Sequence, residues 1–214
     1  MKQKKIMTTI FTAAIALLGM VFVSCGGGSA ASGNSVVDDA VSAAEEAFPL
    51  DDSPVFGTLP SLFKQELEAS TIVRKHFREL KTENTDEAIK NKQEGEEAEK
   101  SLNDMYKKKI AEAVDAIDGK AINVEFDASQ ISSANVTLKA TDKERAYFNL
   151  VFDVTLTQPV NEEVSFKWEF MDAEGNVLES YNDYITPSDK FNNEWMVTAN
   201  LDWSSKFDHL FIKF

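Results

Sequence analysis

Apolar residues recur at helical spacing from Ser61 onward. Leu62, Phe63, Leu67, Ile72, Val73, Phe77 and Leu80 form one stripe, the 3.6-residue period of an amphipathic helix. Ser61, with Glu66 and Glu68 in the next turns, fits a helix start. Thr82 to Thr85 reads as a turn, with Thr85 or Asp86 as the next N-cap. The segment Glu87 to Lys100 is almost wholly polar and contains Gly95. It has no apolar face to bury and is expected to be solvated. Leu102, Met105, Tyr106, Ile110, Ala113, Val114 and Ile117 restore the stripe, and Gly119 supplies a C-cap just past Asp118. Two helices joined by a short turn predict an antiparallel hairpin over residues 61–118.

After Gly119 the period falls to two. Ile122, Val124 and Phe126 alternate with polar residues, as do Val136, Leu138 and Ala140. The clearest strand runs through Phe148, Leu150, Phe152, Val154 and Leu156, and another through Val164, Phe166, Trp168 and Phe170. Asp172 to Asn176 reads as a hairpin turn leading into Val177 and Leu178. Trp195, Val197, Ala199, Leu201 and Trp203 alternate once more, and Leu210, Ile212 and Phe214 come last. About seven short strands that are mostly apolar on one face predict an antiparallel β-sandwich over residues 119–214. The chain is therefore expected to be α+β, an N-terminal helical hairpin followed by that sandwich.

The first residues obey a different logic. Lys2, Lys4 and Lys5 precede an apolar run from Ile6 to Val23, and Phe22-Val23-Ser24-Cys25 leads into Gly26-Gly27-Gly28-Ser29. This run resembles the lipobox signal peptide of bacterial lipoproteins, although Phe22 stands where the usual pattern has Leu. The resemblance implies that residues 1–24 are removed and that Cys25 becomes the first mature residue, carrying a diacylglyceryl thioether and an N-acyl chain such as palmitate. Each buried CH₂ contributes about 0.8 kcal/mol, so two or more chains give a stable membrane anchor. Residues 25–60 are expected to be a flexible tether and irregular connection. Gly26 to Ser35 is Gly/Ser/Ala-rich. Val37, Val41, Ala44 and Phe48 fit a short helix, and Pro49, Pro54 and Pro60 break up the stretch beyond it. No acidic residue lies directly after the lipid site, and on that basis attachment to an outer membrane facing the periplasm is expected.

The order of the C-terminal strands, with an aromatic strand, the turn from Asp172 to Gly175 and a late Trp-x-Val-x-Ala-x-Leu segment, resembles the immunoglobulin-like modules of bacterial envelope lipoproteins. That resemblance covers residues 119–214 and implies a fold type, not an activity.

Charge narrows the partners. Lysine and arginine total 22 against 36 acids, a net charge of −14. Removal of the three N-terminal lysines takes the mature chain to −17, since −14 less 3 is −17. Such a body repels the phosphate backbone of nucleic acid and does not adhere to anionic lipid through a basic patch. With one cysteine the chain forms no internal disulfide and holds no cysteine-based zinc site.

Candidate chemistry is sparse. His76 and Glu79 lie at i, i+3 on a predicted helix, but a catalytic metal usually has three protein ligands and the sequence indicates no third. Neither a nucleophile elbow nor a Ser-x-x-Lys box has a credible context. Asp172, Glu174 and Asn176 place oxygen ligands around Gly175, yet the calcium-loop order is not met and hairpin geometry accounts for them. Trp168, Trp195 and Trp203 fall on the predicted core face, leaving Tyr147, Tyr181 and Tyr184 as candidates for exposure. The expectation is a non-enzymatic envelope lipoprotein without cofactor or metal, which binds or positions a protein partner. The competing expectation is a binder of small ligands or glycans through loops at one end of the sandwich.

Overall fold

The computed structural model describes residues 33–199 and 202–214. Among the described residues three α-helices precede seven strands, so the fold is α+β. Helix α1, Ser35–Ala47, starts where the Asn34 side chain accepts from the Val36 amide at 3.0 Å. It buries Val37, Ala40, Val41 and Ala44, on the spacing that predicted a short helix. It stops before Pro49, whose ring disfavours helical backbone in the preceding residue. Helix α2, Leu59–Glu79, carries Pro60 in its first turn, where no amide partner is lost. Helix α3, Thr85–Asp115, is continuous through the polar segment and Gly95. Its N-cap is Asn84, one residue before the predicted pair, with the side chain accepting from the Asp86 and Glu87 amides. The three helices share a core of Val41, Ala69, Val73, Leu102, Tyr106 and Ile110.

The strands are β1 Ala121–Phe126, β2 Ile131–Asp142, β3 Tyr147–Val160, β4 Val164–Met171, β5 Val177–Ile185, β6 Ser188–Thr198 and β7 His209–Lys213. They lie in one seven-stranded sheet in the order β5-β4-β7-β1-β2-β3-β6. The sheet is mixed, which corrects the antiparallel expectation. β1 runs antiparallel to β2 at Ala121 and Ile122, then parallel to β7 from Asn123 to Phe126. One short strand thus serves both halves of the sheet, and alternating polarity carries no information about strand direction. The pairing also departs from the immunoglobulin order, in which the second strand pairs with the fifth; here β2 pairs with β3.

The two halves face each other across aromatic side chains. On β4, Trp168 lies 5.4 Å from Phe152 of β3, and Phe166 lies 4.4 Å from Phe191 of β6, between ring centroids. Phe148, Leu150, Phe152 and Val154 are buried, as alternation predicts. The outer strands β5 and β6 approach without a backbone ladder. Asn193 donates to Asp183 at 2.7 Å, and the Tyr181 and Trp195 rings lie 5.3 Å apart. The residues of β5 on the Phe166–Phe170 side are Glu179, Tyr181 and Asp183. Inward-pointing charges of this kind blunt a strand edge, and the near-barrel keeps a seam there.

Helices and sheet meet at the end where β1 begins. Phe56, in the tight loop Ser53–Gly57 between α1 and α2, is fully buried and contacts Phe148, Trp203 and Phe207 at 6.1, 5.6 and 5.8 Å. Trp203 is not the end of a strand. β6 stops at Thr198, and Trp203 sits in a single 3₁₀ turn, Asp202–Ser205, stacked on Phe170 at 4.4 Å.

Candidate functional site

Exposed large apolar side chains, among them Leu50, Leu67, Val177, Tyr184 and Met196, are scattered over the surface, and two regions set exposed groups beside a cleft at the end of a structural element. The first is the tip of the α2–α3 hairpin. At 1.5 Å per residue the 31 residues of α3 extend about 46 Å, against about 20 Å for the 13 of α1, so α2 and α3 run on beyond it. Small residues let the helices meet there. Gly95 and Ala98 are buried, and a side-chain carbon on Gly95 would lie 3.1 Å from the Phe77 ring. Arg74 pairs with Glu99 at 3.3 Å, and the Asn91 amide donates to the Leu80 carbonyl at 3.1 Å, closing the end of α2. A groove of about 560 Å³ opens on this tip, with Phe77, Leu80 and Ala88 beside Lys81, Lys92 and Glu96. Leu80 is 40% exposed and Ile89 53%. The segment expected to be simply solvated therefore has a buried small-residue face and exposed apolar groups.

The second region is the end of the near-barrel opposite the helices, where β1 and β3 finish and β2 and β4 begin. From Thr155 to Val160 β3 advances five residues while β6 advances two, from Lys190 to Ser188, so three residues are surplus on β3. Surplus residues of this kind collect at barrel rims and re-aim side chains, and Pro159, which has no amide hydrogen, sits among them. The Thr157 amide and hydroxyl remain tied to the Gln130 carbonyl at 2.9 and 3.1 Å, which joins the bulge to the β1–β2 loop. Between them lies a cleft of about 400 Å³. Ser129, Gln130, Thr157 and Gln158 supply its polar lining; Leu156, Pro159, Val160, Val164 and Phe214 supply the apolar part.

One perturbed titratable group borders this cleft: Asp127 is held low by accepting from the Ser129 hydroxyl and amide at 2.6 and 2.9 Å. Others lie elsewhere. Burial raises the Glu66 carboxyl against the opposing charge of Lys107. Burial, reinforced by the charges of Glu45 and Glu66, raises the Tyr106 phenol, whose hydroxyl has no hydrogen-bond partner among the described residues. On β4 the buried Glu169 is held low overall: burial pushes it up, but hydrogen bonds and charge from Lys167 at 2.6 Å and Lys213 at 2.9 Å outweigh that. None of these groups lines either cleft.

The residues singled out from sequence are scattered over the molecule. Cys25 lies outside the described residues, as does the whole of residues 1–24. His76 and Glu79 are exposed on α2, His76 edge-on to Phe77 at 5.0 Å. Among the described residues no group of three His, Cys, Asp or Glu side chains is placed to hold a metal. Asp172 is the hub of its turn, accepting from the Glu174 and Asn176 amides at 3.1 and 2.7 Å, with Gly175 at φ +82°. Trp168 is buried and Trp195 half-buried; Tyr181 is half-buried against both, and Tyr184 is 60% exposed. Sequence reading missed the β3 bulge and the Gly95–Phe77 contact. Pro159 was the one local cue to the bulge.

No protein-family model matches the chain, and no curated protein matches it. Among solved structures it is similar to the crystal structure of Campylobacter jejuni cj0090, at 17% identity and a TM-score of 0.26, over 42% of this chain and 96% of that one. Among the described residues no helix is long and apolar enough to cross a membrane.

Proposed function

We propose that this protein is a non-enzymatic lipoprotein of the bacterial cell envelope, anchored through Cys25, which binds or positions a protein partner through the tip of its α2–α3 hairpin. The observation that carries this reading is the tip itself. Two helices extend past the rest of the helical layer, packed on one another through Gly95 and Phe77, and present Leu80 and Ile89 to solvent beside a groove. Leu67 and Met196 are more exposed than either but line no cleft; apolar groups gathered at a groove and rimmed by charge support an interaction site. The anchor is supported by the run Phe22-Val23-Ser24-Cys25 behind a lysine-led apolar segment. Outer-membrane attachment facing the periplasm is supported by the absence of acids in Gly26–Gly28. For the fold, we read the two halves of the sheet as facing layers of a sandwich drawn toward a barrel, supported by the ring contacts from β4 to β3 and β6.

The test is cross-linking in whole cells followed by capture of the full chain, beside Cys25→Ala and a Leu80→Asp/Ile89→Asp variant. One envelope protein recovered with the wild type, reduced with Cys25→Ala and lost with the tip variant, is the expected result. Equal recovery with the tip variant removes the hairpin from the reading. Labelled palmitate incorporated equally by wild type and Cys25→Ala removes the anchor.

A further inference from the structure

The cleft at the open end of the near-barrel has a composition at odds with the chain around it. The sequence is 27% charged and carries a net −14, yet none of the nine residues lining this cleft has an ionisable side chain. An anionic ligand would leave water here without a side-chain counter-charge, which is costly, and the nearby Asp127 carboxylate, which a cation would seek, already accepts from the Ser129 amide and hydroxyl. A wholly apolar ligand would cover the amides of Gln130 and Gln158 without replacing their hydrogen bonds to water. Those two amides make no side-chain hydrogen bond among the described residues, and each offers two donors and an acceptor. The rest of the lining is largely apolar, with the half-buried Phe214 ring propped against Phe166 at 6.2 Å.

We infer that this cleft binds a neutral saccharide, free or as part of a longer glycan. A sugar ring unites the two properties the lining asks for: an apolar C–H face for Phe214 and Pro159, and uncharged hydroxyls that donate and accept toward Gln130, Gln158 and the oxygens of Ser129 and Thr157. The volume, about 400 Å³, lies within the range of small-ligand sites, and barrel mouths are among their usual places. An added peptide strand fits less well. β3 is already paired with β2 beside the bulge, through Leu156 and Ile131, and Pro159 lacks the amide such a strand would use. The surplus residues on β3 then have a use: they include Gln158 and Pro159, which line the cleft together with Gln130.

This inference stands apart from the partner at the hairpin tip, and its test separates the two. The full lipidated chain, in a polyoxyethylene detergent that carries no sugar, is applied to an array of neutral and acidic oligosaccharides and to a library of extended neutral peptides. Binding to neutral oligosaccharides is expected, confirmed by calorimetry with the best of them. The Gln130→Ala/Gln158→Ala variant should weaken that affinity tenfold or more, while the Leu80→Asp/Ile89→Asp variant leaves it unchanged. Both glutamines are exposed, so their loss does not threaten folding, and circular dichroism checks this. No neutral glycan bound, preference for acidic glycans or for peptide, or affinity unchanged in the double glutamine variant would each overturn the proposal.

Discussion

Replacing Gly95 by alanine separates two effects that usually act together. In a helix interior glycine is less favourable than alanine by about 1 kcal/mol, so the substitution should stabilise α3 if only backbone freedom mattered. The new methyl, however, would lie 3.1 Å from Cγ, 3.2 Å from Cβ and 3.5 Å from Cδ1 of Phe77. Cβ is fixed by the backbone of α2, so rotating the Phe77 ring does not relieve the contact; the helices must separate by a few tenths of an ångström. Overpacking of this kind costs about 1–3 kcal/mol. Taking about 2 for the contact and subtracting about 1 for propensity leaves a net loss of about 1 kcal/mol in the native background. In a Phe77→Gly background, which removes Cβ as well as the ring, the contact disappears and the same change should gain about 1 kcal/mol. The coupling between the two positions is then about 2 kcal/mol, well above the error of such a cycle. Urea unfolding of residues 33–214, followed by far-UV circular dichroism, measures all four chains. Amide exchange across residues 77–95 shows whether the loss is local. If Gly95→Ala raises the unfolding midpoint equally in both backgrounds, the helices do not touch at Gly95 and the tip is not packed as described.

Two phenols, Tyr106 buried and Tyr181 half-buried, give further expected outcomes. Tyr106 is fully buried with an unpartnered hydroxyl, so Tyr106→Phe removes a desolvated group without opening a cavity. It should stabilise the fold by about 1 kcal/mol in the same urea assay, and the Lys109 ammonium, 5.4 Å from the ring centroid, keeps its contact; a loss of that size instead would mean the hydroxyl is hydrogen-bonded. Burial pushes the Tyr181 phenol up to about 12, with the hydrogen bond to Glu179 adding to it. A raised folded value means stability is fully present below the unfolded value of about 10 and is lost as pH rises toward about 12. The melting temperature should therefore fall across that window, and Tyr181→Phe should fall less; parallel curves would refute the assignment.

Much of this architecture was legible because burial and periodicity report the same thing. Phe148, Leu150, Phe152 and Val154 alternate in sequence and are all buried, and the stripe from Leu102 to Val114 is the buried face of α3. What escaped detection has local causes. Gly95 reads as a weak point in a helix, because a missing side chain does not announce the neighbour that requires its absence. β5 beyond Leu178 turns polar residues inward at a seam, so it offers no apolar alternation to read. The Trp195-to-Trp203 pattern ran past the end of β6 because alternation continues in sequence after the backbone has left the strand. Phe56, between prolines in what reads as a connection, gave no sign that it seals the barrel. The open cleft depends on three residues out of register between β3 and β6, a property of the pairing that neither strand's composition contains.

The parallel pairing of β1 with β7 ties folding to the order in which the chain is made. Residues 123–126 find their partners at 209–212, across almost the whole sheet domain. The β2–β3 hairpin needs only its own neighbourhood, so that half can assemble early. The β4–β5 hairpin can form early as well, but it is joined to the first half through β7 and β1. Until residues 209–213 arrive, the inner rings of β4 have no continuous sheet to hold them against β3 and β6. Closing so long a loop is slow, so both hairpins can stand formed while the sheet between them is still incomplete, and the rate at which residues 209–213 dock on β1 sets the rate at which the whole sheet becomes protected.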